Sequence, residues 1–304
     1  MKLPESIQVI ERGWLSANNV VLHERGEAVV VDSGYGAHAA QTVALVERAL
    51  AGKKLARLVN THCHSDHMGG NAAIQRKFGC RTSIPEGEAP LVERWDEHAL
   101  LLAIADQRAE RFRYDDTFRD GDALQMGGLE WRVIAAPGHD THAVVFHSPE
   151  ARVLISGDAL WENGFGVVFP QLFGRDTALA ETRATLEAIA RLEVATVIPG
   201  HGRPFDGAEG ALERAFYRLE GYEEDITRLA RHCAKVMLSF SLLEKRSMPL
   251  AELPGYVARV PILTELNSRY LGMGAPAMAE WLVNELERAG AARREEGLLV
   301  ARGE

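Results

Sequence analysis

Thr61-His62-Cys63-His64-Ser65-Asp66-His67-Met68-Gly69-Gly70 places four metal-type donors within six positions. It directly follows residues 55–60, a short apolar run that reads as a strand. In an extended segment, residues two apart point to the same side, so His62 and His64 can hold one metal. A turn at Ser65 then presents Asp66 and His67 to a second position nearby. Cys63 points the other way by the same alternation and reads as a packing residue. Further along, Pro137-Gly138-His139, Gly157-Asp158 and Pro199-Gly200-His201 each follow a predicted strand, at 130–135, 152–156 and 194–198. His139 and His201 can arrive one per metal. Asp158 can bridge, because a carboxylate has two oxygens and brings negative charge between two cations. The expectation is three histidines plus Asp158 on one metal, and Asp66, two histidines and Asp158 on the other. Imidazole and carboxylate donors suit zinc, iron or manganese. A lone His-x-His would say little; this ordered set, all at strand ends, says much more.

The surrounding composition is that of a globular protein. The chain has 304 residues, 46% hydrophobic and 25% charged, which excludes disorder or low complexity as a description of the whole. Its length fits one large or two ordinary domains. The net charge of −9 argues against a broad nucleic-acid or anionic-membrane surface. Three cysteines (Cys63, Cys80, Cys233) are too few and too odd in number for a disulfide framework, so a reduced, cytoplasmic setting is expected. No signal-peptide pattern opens the sequence. The longest nearly apolar runs, 28–31 and 99–105, fall far short of the roughly 20 residues of a membrane span.

The first two thirds alternate strand and helix signals. Residues 28–32 read as a buried strand, 36–51 as a helix with Val43, Val46 and Leu50 on one face, 87–112 as mostly helical, 142–147 as a strand and 177–192 as a helix. Residues 207–235 read as helical. Pro261 and Pro276 sit where helices start, Gly272 and Gly290 where they stop. Residues 291–302 read as a terminal hairpin. These signals divide the chain into 1–205, the metal-bearing domain, and 206–304, a helical C-terminal domain. There is no internal repeat.

The stretch 61–70 resembles the signature of the metallo-β-lactamase fold hydrolases, and the later Gly-His, Gly-Asp and Gly-His elements match that family in order. Asp32, ending an early strand, matches the family's acidic residue behind the ligands. The resemblance covers roughly 6–205. It implies an α/β (α+β) architecture: a four-layer αββα sandwich of two mixed β-sheets, with metals at one sheet edge and a mainly helical C-terminal domain. It implies two divalent ions, zinc first with iron or manganese as alternatives, on His62, His64, Asp66, His67, His139, Asp158 and His201. A hydroxide bridging them would attack an electrophilic carbonyl, phosphorus or sulfur. Asp66 would also orient that hydroxide, which makes it the catalytic candidate. His64 stands where the fold's diiron oxygen reductases carry Glu, which favours hydrolysis. Gly138-His139-Asp140-Thr141-His142 resembles the Gly-His-Thr-x-x-His element of glyoxalase II with one residue fewer, which makes His142 a further candidate behind the ligands.

The leading reading is a hydrolase of thioesters, esters or lactones acting on a small molecule. A phosphodiesterase or nuclease, a single-iron sulfur dioxygenase, and a non-catalytic metal protein compete with it. The C-terminal pattern resembles a winged helix weakly. Residues 275–304 hold four arginines and six glutamates, a net of −2 and a poor phosphate-binding face. Pocket closure or subunit contact is the expected role of this region, and a homo-oligomer is left open. Residues 161–170 and 87–118 are expected to wall the site.

Overall fold

A computed structural model describes residues 3–302. Two six-stranded sheets lie face to face. The first is ordered β1 (Ile7–Ile10), β2 (Asn19–His23), β3 (Glu27–Val31), β4 (Lys54–Val59), β5 (Arg81–Pro85) and β6 (Asp116–Phe118). β1 to β3 run antiparallel, β3 to β6 parallel. The crossovers carry α1 (Ala39–Leu50), α2 (Ser65–Met68), α3 (Asn71–Phe78) and α4 (Ala89–Arg94). The second sheet contains β7 (Ala123–Met126), β8 (Leu129–Ala135), β9 (Val144–Ser148), β10 (Val153–Gly157), β11 (Thr196–Pro199) and β12 (Phe205–Asp206). It is antiparallel except for the β10–β11 pair. Between them come α5 (Phe169–Leu172) and α6 (Ala178–Ala190).

Strand alternation builds the layers. Val29 and Val31 of β3 face the second sheet, packing with Trp131, Phe146 and Ile155. Ala28 and Val30, one residue out of step, face Val46 and Leu50 of α1 and Ile74 of α3. On the far side Val145, Leu154 and Val197 pack beneath Leu186 and Ile189 of α6. This is an αββα sandwich of two mixed sheets.

After β12 the chain is helical: α7 (Glu209–Glu224), α8 (Ile226–Lys245), α9 (Leu253–Arg259), α10 (Pro261–Leu266) and α11 (Ala275–Arg288). A small sheet joins β13 (Ser247–Pro249) to the terminal hairpin β14 (Ala292–Glu295) and β15 (Leu298–Ala301). One hydrophobic cluster runs from the outer face of the second sheet through α6 into α8, α9 and α11. No described helix is long and apolar enough to cross a membrane.

Two expectations are corrected. The stretch 87–112 is helical only in α4 and short 3-10 turns, because Trp95, Leu101 and Asp106 adopt positive φ and break the helix three times. The stretch 207–235, expected to be helical, is divided between two helices, the second of which runs on to Lys245. Asp225 ends α7 in an extended conformation and caps α8, its Oδ1 accepting the Thr227 N–H at 3.0 Å.

Because the inter-sheet layer is fully enclosed, Phe146→Ala should destabilise the protein by about 3–5 kcal/mol in urea unfolding. Tyr217→Ala, at an 81% exposed position, should stay within about 0.5 kcal/mol.

Candidate metal centre

β3 and β4 run parallel, as do β10 and β11. β8 points the same way as β10 because β9 is antiparallel to both. The exits of these five strands carry Asp32, residues 62–67, His139, Asp158 and His201. The two sheets meet there: Val144 N–H donates to Thr61 O at 3.0 Å, and Asn18 N–H to Gly200 O at 2.7 Å. All seven expected donors come together, in two groups: His62, His64 and His139, and Asp66, His67, Asp158 and His201. Within each group one donor atom per residue lies within 4.8 Å of the others.

Hydrogen bonding selects the tautomers. Thr61 Oγ1 gives its proton to Asp32 Oδ2, so His62 Nδ1–H donates to Thr61 Oγ1 at 3.1 Å. His139 Nδ1–H donates to Val167 O at 2.7 Å. His64 Nε2 faces Asp140 Oδ2 at 3.5 Å. Lone pairs are thereby left on His62 Nε2, His64 Nδ1 and His139 Nε2. His64 Nδ1 and His139 Nε2 are 2.8 Å apart, and His62 Nε2 is buried with no hydrogen-bond partner. Two acceptors in contact beside an orphaned third are a donor set that fits a cation.

In the second group His67 Nδ1–H donates to Asp32 Oδ2 at 2.8 Å, leaving Nε2 without a hydrogen-bond partner. His201 Nε2 lies 3.0 Å from Asp66 Oδ2. Asp158 faces both groups: Oδ1 is 3.3 Å from His67 Nε2, and Oδ2 is 3.3 Å from His139 Nε2. The residues therefore fit two candidate metal sites with one carboxylate between them.

The charges divide the same way. Burial first, then the neighbouring histidines, push His62 well below its ordinary value, and His64 is lowered to about 4 by burial and His139. This group is three histidines without a carboxylate of its own. In the other group burial opposes charge on Asp66 and Asp158, but His67 and His201 overcome it and lower both. Burial likewise opposes charge on His67, and Asp32, Asp158 and Asp66 outweigh it and raise it.

Backbone geometry sets these positions. A Cβ at residue 200 would collide with Asp158 Oδ1, so only glycine lets the β11 exit pass there. Asn18 Nδ2 donates to Pro199 O at 2.9 Å and Gly202 O at 2.7 Å, holding the turn that carries His201. Asp32 lies behind the centre, on His67 and on the Thr61 backbone. His142 does not reach it: its ring is exposed and packs on Gly87, while its N–H donates to Asp140 Oδ1 at 2.6 Å. Asp140 is the residue that faces His64. Burial, then Asp140, hold the Glu88 carboxyl well above the usual range. The sequence reading passed over Asp140 and Glu88. Adjacency to His139 was the available signal for the first; none existed for the second. Cys63 is buried with Met68 and Ile84, away from the donors.

A cavity of about 450 Å3 opens onto His64, Asp66, His139, Asp158 and His201. Its walls come from Leu101, Ala105 and Gln107 of the long crossover, Trp161, Val167 and Phe169 after β10, and Val236, Met237, Phe240 and Leu243 of α8. Trp95 and Phe112 of the crossover instead pack on each other in the interior. At the mouth Trp14, 56% exposed, lies parallel to the His201 ring at 5.6 Å. Trp161 Nε1–H donates to Asp158 Oδ1 at 3.2 Å.

Asp140→Ala removes the carboxylate behind His64. Its metal affinity should fall roughly 10–100-fold in competition with a chelator, with the circular dichroism unchanged.

Comparison with known proteins places this arrangement. The family model described as the metallo-beta-lactamase superfamily matches residues 12–201. A hydroxyacylglutathione hydrolase of Rhodopseudomonas palustris is 34% identical over 131 residues, 43% of either chain, so the chain spans less than half the length of that relative. An uncharacterised protein of Mycobacterium tuberculosis is 30% identical over 206 residues, covering 62% of this chain and 88% of its own. A metallo-beta-lactamase family protein from Thermus thermophilus aligns over 98% of this chain and 99% of its own, with a TM-score of 0.58 and 22% identity, a likeness of fold that includes the C-terminal helices. With its sandwich, its strand-exit donors and a family match over residues 12–201, more than half of its length, the chain belongs to the metallo-beta-lactamase superfamily.

Proposed function

We propose that this chain is a binuclear metal-dependent hydrolase that cleaves a thioester, ester or lactone of a small molecule. One observation carries the reading: the two oxygens of Asp158 stand at 3.3 Å from donors of different groups. His62, His64 and His139 would hold one ion, Asp66, His67 and His201 the other, with Asp158 shared. Imidazole and carboxylate donors suit zinc first, iron or manganese next. Two bound divalent ions supply a nucleophile from water at neutral pH and polarise the attacked oxygen.

The chain's own residues do the rest. Asp32 and the Val167 carbonyl fix the ring tautomers of His67 and His139. Asp66 is the more accessible of the second group's two carboxylates and opens on the cavity, where it accepts a hydrogen bond from water and sets its orientation. The apolar walls limit the water that reaches the reacting bond. The likeness to a hydroxyacylglutathione hydrolase supports a thioester first. Arg288, Arg293 and Arg294 of the C-terminal region are each paired with a glutamate, which favours a small molecule over nucleic acid.

Elemental analysis of protein purified without chelators should give about two ions per chain. A single iron, with oxygen uptake on a persulfide, would instead make it a dioxygenase. His64→Ala and Asp158→Ala should each lower kcat/KM on an activated thioester by on the order of a hundredfold or more while the protein stays folded. Retained turnover in both variants would remove the hydrolase reading.

A further inference from the structure

We propose that the cavity selects substrates with an apolar body and a separate carboxylate, and that Arg218 is the residue that reads the carboxylate. This rests on the hydrolase reading only for the bond that is cut.

The apolar part follows from α8. One stripe of this helix, Leu229, Cys233, Leu238 and Leu242, is sunk in the core. A second stripe, His232, Val236, Ser239, Phe240 and Leu243, recurs at spacings of three and four and lines the cavity. Val236 and Phe240 stay half-buried on that side, with Leu101 and Ala105 lining another part of the wall. An apolar ligand body is the chemistry that completes such a surface.

The anionic part follows from a count of charges around the lining. Arg203 is exposed and lies 3.6 Å from Glu11. His232 is neutral, because burial, Arg218 and Lys235 push it down to about 3. Glu162 is exposed, and its carbonyl accepts from Arg214 Nε at 2.8 Å. The other lining carboxylates, Asp66 and Asp158, belong to the metal centre. Arg218 is half-buried, and among the described residues no hydrogen bond or ion pair engages its guanidinium. A cation so placed is stabilised by an anion brought by the ligand, and the planar fork of guanidinium matches a carboxylate.

Position makes both ends reachable by one molecule. The guanidinium lies against Gly164, where any Cβ would run into it. Gly164 pairs with Trp161 across a tight turn, and Trp161 donates to Asp158. Arg218 is therefore one turn of chain away from the carboxylate that faces both metal groups.

The test is binding, with no turnover required. Metal-loaded protein is titrated calorimetrically with butyrate, hexanoate, octanoate and decanoate, and with succinate, adipate, suberate and sebacate. Affinity for the monocarboxylates should rise roughly three- to fourfold per methylene. At the matching length the dicarboxylate should bind at least about tenfold more tightly than its monocarboxylate, and Arg218→Met should remove that gain. A flat monocarboxylate series would overturn the apolar part. Dicarboxylates no tighter at any length, or a gain that survives in a folded Arg218→Met variant, would overturn the role of Arg218. The wild-type series alone decides the matter if the variant does not fold. Binding as expected without hydrolysis of any thioester or ester would sink the hydrolase reading and leave this inference standing; hydrolysis without the binding pattern would do the reverse.

Discussion

The Asp32 carboxylate is the constraint on which the site depends. It is buried at the end of β3 and receives the Thr61 N–H, the Thr61 hydroxyl and His67 Nδ1–H at 2.8 to 2.9 Å. Those bonds tie three chain segments to one point: the exit of β3, the exit of β4 and the short α2. Asp32 itself sits at φ 58°, a conformation that costs about 1–2 kcal/mol for a residue other than glycine. Three hydrogen bonds converging on one carboxylate in a dry interior offset that cost. Ser33, Asn60 and Asn71 extend the network to the His67 carbonyl, so the loop carrying four of the donors is held from behind on several sides.

From that anchor the rest of the centre is a matter of direction. Strands that share a direction release their residues at one edge, and the histidines and carboxylates of two sheets then face each other without any long loop. The tautomers follow from which ring nitrogen is already engaged: with their other nitrogens committed to Thr61 and Asp32, His62 and His67 each keep one nitrogen free, one for each donor group.

Much of this was legible in the sequence because metal chemistry restricts residue types and strand exits restrict spacing. His62 to His67, His139, Asp158 and His201 stand out on both counts. The strands β3, β4 and β8 to β11 show in their apolar runs, and α1 and α6 in their one-sided periodicity. What was hidden has a physical reason in each case. β1 and β13 are short edge strands whose pattern is carried by their partners. The 87–112 crossover has a helical composition but is broken by left-handed residues, which composition does not encode. His142 drew attention as a histidine near His139, whereas the turn that Asp140 closes on the His142 N–H points the histidine out and the aspartate in. The cavity wall was foreseeable as a region only, since which face of α8 meets the donors depends on how α8 packs on α7 and α11.

The division of labour along the chain has a consequence for how such a protein can diversify. The donors lie between residues 62 and 201, while a large share of the cavity wall lies on α8, at 232–243. α8 turns one stripe to the core and another to the cavity, so substitutions on the second stripe alter the shape offered to a ligand while the buried stripe keeps the helix seated. This part of the wall thus lies in a stretch of sequence separate from the donors, and it can drift while they stay constant.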